Sequence, residues 1–217
     1  MNDIFIIVQI KKDDVRMNIA ATALKLFCQR GFAETSMSDI AHSAKISTGN
    51  IYRYYRDKEA LFAEILPDKF IRSIKTEINQ LMILASHEVD FYKKTEGEYQ
   101  AHLEHLIQIL FENRERILIL LSADPQSPHR RFRQTLEALL VRQAIRYLRQ
   151  VHGRRNLDAT ERRLLQMIYR SFVENSFQIL RQAATEKSYR HQLRRLRSYH
   201  LPGLKSYFEE LSQRGTP

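Results

Sequence analysis

Thr35-Ser36-Met37-Ser38-Asp39-Ile40-Ala41-His42-Ser43-Ala44-Lys45-Ile46-Ser47-Thr48-Gly49-Asn50-Ile51-Tyr52-Arg53-Tyr54-Tyr55-Arg56-Asp57-Lys58-Glu59-Ala60-Leu61-Phe62 is the stretch that decides the fold. It divides into two short helices joined by a tight turn, with a third helix beginning at its end, the layout of a helix-turn-helix. Ser36 precedes Asp39 by three residues, a Ser-x-x-Asp variant of the capping box, and opens the first helix. Ile40, Ala41 and Ala44 fall on its inward face. Lys45 and Ile46 make the turn, and Ser47 offers a side-chain acceptor to the orphan amides that begin the second helix. Thr48, Gly49 and Asn50 are small or polar, as a helix tip that approaches base edges must be; a bulky apolar tip would be held off. Ile51 and Tyr55 are spaced to bury one side. Tyr52, Arg53 and Tyr54 place hydrogen-bonding tips around the rest, suited to phosphates or base edges. Asp57 caps the third helix. Lys58 stands in its first turn against the helix dipole, a placement that a nearby phosphate would explain.

Upstream, Ile19, Ala20, Ala23, Leu24 and Phe27 recur at helical spacing, Gly31 sits where a C-terminal cap belongs, and Phe32 packs back. Residues 14–65 therefore read as a compact helical unit with its own small core. Ala23, Leu26-Phe27, Arg30-Gly31-Phe32, Thr35-Ser36, Asp39-Ile40-Ala41, Ala44, Ser47, Gly49, Ile51-Tyr52, Tyr54-Tyr55 and Lys58-Glu59-x-Leu61-Phe62 stand in a specific order. In that order residues 16–62, about a fifth of the chain, resemble the DNA-binding domain of TetR/AcrR-type transcriptional repressors. The resemblance implies a homodimer with one reader per subunit and a larger helical domain that binds a small effector. Carried over position by position, it implies that Thr35 and Ser36 hold a phosphate at the first helix's N-terminus. Ser47, Thr48, Gly49 and Asn50 would approach the bases, with Tyr52, Tyr54 and Lys58 on the backbone or groove wall. Arg53 occupies a position that varies in the family. One departure is Lys45, where the family usually has glycine in the turn. If the turn keeps a left-handed backbone, lysine costs about 1 kcal/mol relative to glycine. Either the turn is reshaped, or the Lys45 ammonium adds a phosphate contact.

The 217 residues suffice for a small module plus one domain with a real core. With 6 Gly and 5 Pro, and no Val/Thr-rich alternating runs, the chain reads as all-α. The organisation expected is an N-terminal extension over 1–13, a three-helix helix-turn-helix domain over 14–65, and a helical ligand-binding and dimerisation domain over 66–217. No run reaches the ~18 apolar residues of a membrane span. Residues 1–10 contain Ile4-Phe5-Ile6-Ile7-Val8 but lack a basic leader and a small-residue cleavage site, which argues against a signal peptide. They read equally as a mobile arm, a short packing segment or a wrongly chosen start. The single cysteine, Cys28, excludes an internal disulfide framework and fits a reducing cytoplasm; the resemblance implies the bacterial cytosol, with the protein associated with the nucleoid. Beside Phe27 it reads as a small apolar packing residue.

The net charge of +10 is unevenly placed. Residues 1–66 carry 9 Lys/Arg against 8 Asp/Glu, residues 67–129 carry 7 against 10, and residues 130–217 carry 19 against 7. The basic excess lies far in sequence from the helix-turn-helix, so high charge does not localise a nucleic-acid site here. In the larger domain Pro67 kinks the helix leaving the reader, and residues 98–122 form one strongly periodic helix ended by Pro125 and Pro128. Residues 129–151 form the next, 158–184 a long one opened by Asp158, and 188–213 the last, interrupted at Pro202-Gly203. On 158–184, Leu164, Leu165, Ile168, Tyr169, Phe172, Val173, Ile179 and Leu180 cover about half the circumference, a face broad enough for its own core and a partner. The resemblance implies homodimerisation through 158–184 and 188–213. Aromatic and aliphatic groups should line a pocket; Phe91, Tyr99, His102, Leu106, Phe111, Tyr147, Tyr169, Phe172 and Asn175 are the candidates. For Asn175 and His102 the structural reading, a satisfied polar group, stands ahead of ligand contact. Arg142, Arg146 and Arg149 share one side of their helix, as do Arg190, Arg194 and Arg197. These rows read as solvated faces, as attraction for an anionic effector, or as contacts with flanking DNA.

There is no Gly-rich phosphate loop, Gly-x-Ser-x-Gly elbow or His-Glu-x-x-His motif, and the eight histidines do not cluster at ligand spacing. No enzyme activity, metal or cofactor is expected. The expected function is a ligand-responsive repressor that binds a palindromic double-stranded operator as a dimer and is released by an apolar or anionic small molecule. The alternative is an architectural or activating DNA binder without an effector. Operator, effector identity and regulated genes are not encoded in any readable feature.

Overall fold

The computed structural model describes residues 2–87, 97–122, 124–153 and 156–213. Every regular element among them is a helix: α1 Asn2–Arg30, α2 Met37–Ser43, α3 Thr48–Ile51, α4 Lys58–Ile65, α5 Asp68–His87, α6 Glu98–Glu112, α7 Arg114–Leu121, α8 Phe132–His152, α9 Ala159–Gln182 and α10 Glu186–Gln213. They divide into two compact units, one of Met1–Arg72 with Glu115–Arg130, the other of Ser73–Arg114 with Arg131–Pro217.

In the first unit, residues 2–13 continue the same helix as the periodic stretch after them. α1 stops at Gly31, whose φ of 88° is the left-handed cap conformation, with its amide on the Phe27 carbonyl at 3.0 Å. Ile19, Ala23 and Phe27 of α1 are buried with Phe32, with Ile40 and Ala41 of α2, with Ile51 of α3 and with Leu61 and Phe62 of α4. Three rings close this small core. Phe62 meets Phe27 edge-on at 5.4 Å and Phe32 edge-on at 4.9 Å, and Phe27 and Phe32 lie 5.6 Å apart. Each such pair adds about 0.5–1.5 kcal/mol beyond simple burial, so the cluster dominates so small a core. α4 ends at Leu66 because Pro67 has no amide and its ring excludes a continuing helix. The Ile65 carbonyl left at that end accepts from Arg116 Nε at 2.9 Å.

In the second unit, α8 packs on α9, α9 on α10, and α10 also on α6 and α8. Asp158 caps α9 with a full capping box to Glu161. Two expectations need correction. Residues 98–122 are not one helix: they break at Asn113, whose side-chain amide donates to the Ile109 carbonyl at 3.0 Å and competes with the helix for it. Arg114, next in line, donates to the Ala183 and Arg181 carbonyls at 2.8 and 3.2 Å. The last helix is not interrupted at Pro202-Gly203; α10 runs through both. The two residues are exposed, so the amide missing at Pro202 leaves no buried group unpaired, while Leu193, Leu204, Phe208 and Leu211 fasten the helix on either side.

The turn between α2 and α3 keeps its left-handed residue, with Lys45 at φ 59°, the only non-glycine with positive φ among the described residues. Lys45→Gly should therefore stabilise the protein by about 1 kcal/mol, read as a higher urea midpoint at unchanged slope; an unchanged or lower midpoint would show that the lysine is not strained.

Candidate nucleic-acid interface

Local chemistry builds the tip of the first unit. Ser36 begins α2 with both arms of a capping box: Asp39 N donates to Ser36 Oγ at 3.1 Å, and Ser36 N donates to Asp39 Oδ2 at 2.9 Å. The Ser36 hydroxyl and amide hold the Asp39 carboxyl below the ordinary aspartate range. Ser47 caps α3, its Oγ accepting from Asn50 N at 3.2 Å. Asp57 caps α4, its Oδ1 accepting from Ala60 N at 2.7 Å. The Lys45 and Ile46 amides close the turn on the carbonyls of His42 and Ala41 at 3.1 and 3.0 Å. Asn18 Nδ2 ties α1 to that turn through the Ala44 carbonyl at 3.0 Å.

Ser36, Lys45, Ser47, Thr48, Gly49, Tyr52 and Arg53 are exposed, and Asn50 and Tyr54 are half-buried. A side chain at Gly49 would meet nothing within 4 Å, so α3 presents an open, low-relief end. Tyr52 keeps 52% of its surface. The opposite side of α3 is locked by buried Ile51 and Tyr55.

Two candidates lie elsewhere. Thr35 is fully buried, and its hydroxyl donates to the Gly31 carbonyl at 2.8 Å, so it fastens the α1–α2 loop rather than facing outward. Lys58 Nζ donates to the Phe32 carbonyl at 2.7 Å and lies 4.2 Å from the centre of the Phe32 ring. That carbonyl and ring give a lysine in the first turn of α4 partners within the fold.

Sequence reasoning missed a brace behind α3. Tyr55 Oη donates to Glu64 Oε1 at 2.7 Å, and Glu64 also holds the guanidinium of Arg16 in an ion pair. Burial raises the Glu64 pKa, but Arg16 and then Tyr55 outweigh it, and the carboxyl sits below its ordinary value. Nothing in the sequence pairs residues 16, 55 and 64, because the partners come together only once α1, α4 and the segment between α3 and α4 are packed.

The effector candidates are distributed over several contacts in the second unit. Tyr99 is buried, its hydroxyl accepting from Arg197 at 3.0 Å. His102 Nε2 lies 3.0 Å from the Glu77 carbonyl and 3.2 Å from Glu77 Oε2. Leu106 is buried, Phe111 stacks on Tyr189 at 5.9 Å, and Tyr147 leans on Phe208 at 5.6 Å. Tyr169 and Phe172 flank His200, at 6.2 and 4.4 Å, a histidine that the sequence did not single out. Burial pushes the His200 imidazole down to about 4. Asn175 is exposed and donates to Ser171 Oγ at 3.3 Å. Phe91 lies outside the described residues.

Small-residue caps, an open helix tip and a buried opposite face define a helix-turn-helix module. Residues 19–65 match the model of bacterial regulatory proteins of the tetR family. The chain thus carries the helix-turn-helix module of the tetR family of bacterial regulatory proteins. It is 36% identical over 87 residues to the uncharacterized HTH-type transcriptional regulator YuxN of Bacillus subtilis, covering 40% of this chain and 30% of that one. It is 42% identical over 52 residues to the HTH-type transcriptional regulator AcrR of Shigella flexneri, covering 24% of each. The chain therefore spans less than a third of the length of these curated relatives. A solved putative TetR-family regulator from Syntrophomonas wolfei aligns with a TM-score of 0.49 at 19% identity, over 89% of this chain and 96% of that one. These relatives are named as transcriptional regulators. Among the described residues, no helix is long and apolar enough to cross a membrane.

The brace gives a pH test. Because the folded carboxyl of Glu64 titrates below its ordinary value of 4.5, its contribution is complete above that value and fades as pH falls through the lower, folded one. Glu64→Gln should be less stable than the parent at neutral pH, with the difference in unfolding free energy shrinking as pH falls below 4.5. A difference independent of pH would mean that the carboxylate's charge is not what braces α3.

Proposed function

We propose that this protein is a sequence-specific transcriptional regulator, acting most simply as a repressor, that binds a palindromic operator as a homodimer and is released by a small-molecule effector. The observation that carries this reading is the exposed end of α3, where Ser47, Thr48, Gly49, Tyr52 and Arg53 stand free around a helix whose other side is buried. Such a tip enters a major groove with little steric resistance. Arg53 suits a guanine edge or a phosphate, and Tyr52 and Tyr54 suit the groove wall. Asn50 is half-buried and supplies an amide to the bases from the same turn. Ser36 contributes at the start of α2, and Lys45 adds a cation beside the turn. Thr35 and Lys58 act indirectly, by fixing the loop before α2 and the start of α4.

Dimerisation through 158–184 and 188–213 is supported by apolar groups left uncovered there. On α9, Leu165, Tyr169, Val173, Phe177 and Leu180 are buried, whereas Leu164 keeps 43% and Met167 61% of its surface. On α10, Tyr199 keeps 83%. A second copy would cover these side chains. The effector, apolar or anionic, would bind in the second unit, with Tyr169, Phe172 and His200 as an aromatic group for an apolar part. Release to a tenfold weaker operator affinity requires about 1.4 kcal/mol of coupling.

The test separates the two surfaces. Selection from random duplexes should enrich a palindrome with two like half-sites, bound with a steep salt dependence. Arg53→Ala should weaken that binding while sedimentation still gives a dimer. Met167→Glu should yield monomers that lose the palindrome. Enrichment of no sequence, or an Arg53→Ala protein that binds like the parent, would contradict the reading.

A further inference from the structure

The helix-turn-helix match ends at residue 65, but the fold of the first unit does not. Residues 115–130, far downstream, belong to the same unit. Asp124 ties them to the loop between α1 and α2. Its Oδ2 accepts the Ala33 amide at 3.0 Å, across 91 residues of sequence, and its Oδ1 accepts the Gln126 amide at 3.0 Å. A Cβ added at Gly31 would lie 3.0 Å from Asp124 Oδ2, so glycine at 31 serves the close approach as well as the left-handed turn. Burial alone would push the Asp124 carboxyl up; the amides of Ala33, Gln126, Phe32 and Ser127 together hold it below its ordinary value.

The neighbours of Asp124 point the same way. The Ser127 amide closes the turn on the Asp124 carbonyl at 3.2 Å, and buried Ser127 Oγ accepts the His129 amide at 3.3 Å. His129 then places its ring 5.7 Å from Phe62. Arg116, at the other end of the segment, caps α4 at Ile65 and lies 5.6 Å from the centre of the Phe70 ring. The segment thus meets α4 at Phe62 and at Ile65, and it holds the α1–α2 loop by the backbone. That loop carries Thr35 on the Gly31 carbonyl and delivers Ser36 to the start of α2.

We propose that Asp124 is a positioning residue for DNA binding, a carboxylate latch that fixes the 31–33 backbone and through it the presentation of α2 and α3. This rests on the DNA-binding reading above. The latch also gives that reading a control point: residues 115–130 are joined by the chain to Arg114 on one side and Arg131 on the other, both in the second unit. A shift of α7 that withdrew the carboxylate would free the loop without touching any group on the exposed face of α3.

The experiment uses the full-length protein and its Asp124→Asn and Asp124→Ala variants. Asparagine keeps one acceptor and the shape, so it preserves folding if alanine does not. Amide hydrogen exchange reads the latch without DNA, and binding to the palindrome selected by the parent reads its consequence. Both variants should exchange the Ala33 amide at least about tenfold faster and bind the duplex about tenfold more weakly, while remaining dimers. Asp124→Glu should recover part of the affinity. Unchanged Ala33 exchange, or parental affinity despite faster exchange, would overturn the proposal. A parent that selects no duplex, with Ala33 exchange still raised in the variants, would overturn the DNA-binding reading and the role assigned to Asp124 in it, leaving a latch of structure alone.

Discussion

The contact between Phe27, Phe32 and Phe62 is the constraint on which the first unit depends. One ring comes from α1, one from the loop after it and one from α4, and each is buried. Helices as short as α2 and α3 do not persist alone, since nucleation costs more than a few hydrogen bonds return. They exist because α1 and α4 are held apart at a fixed distance by these rings and offer them a surface. Lys58 adds its ammonium to the Phe32 ring and carbonyl, and His129 extends the aromatic group beyond Phe62. The outward face is thus a consequence of a core that contains none of the residues proposed to touch DNA.

Much of this unit is legible in the sequence because its determinants are local. A cap acts on an amide three residues on, so Ser36, Ser47 and Asp57 announce their helices directly. Gly31 announces a left-handed cap, and Lys45 stands out because it occupies a turn position where glycine is expected. What escapes is chemistry with two valid outcomes. A threonine before a helix can face a phosphate or bond back to its own loop, and Thr35 does the second. A lysine in a first turn can await an anion or find partners in its own fold, and the sequence does not show the Phe32 carbonyl and ring that Lys58 meets. Asp124 is invisible for another reason: no local pattern connects it with Ala33.

The second unit was legible in its helices and less so in their breaks. Apolar periodicity runs through Asn113 unchanged, and only the side-chain amide on the Ile109 carbonyl marks the join between α6 and α7. Pro202 looks like a stop in sequence and is tolerated because it is exposed and flanked by buried leucine and phenylalanine. The broad apolar face of α9 proves to be two stripes, one buried in its own unit and one containing Leu164 and Met167 left to solvent. The arginine rows also divide. Arg190 pairs with Glu186 and Glu104, and Arg197 engages Tyr99, whereas Arg142, Arg146 and Arg149 are exposed on α8.

Those free arginines define the sharpest rival to the account, since they too could meet a polyanion. Amide and methyl chemical-shift mapping of the dimer on addition of a palindromic duplex distinguishes the two surfaces in one titration. The account predicts perturbations centred on Ser36 and on residues 45–54, with little change around residues 142–149. Shifts concentrated on Arg142, Arg146 and Arg149, with α3 silent, would contradict it.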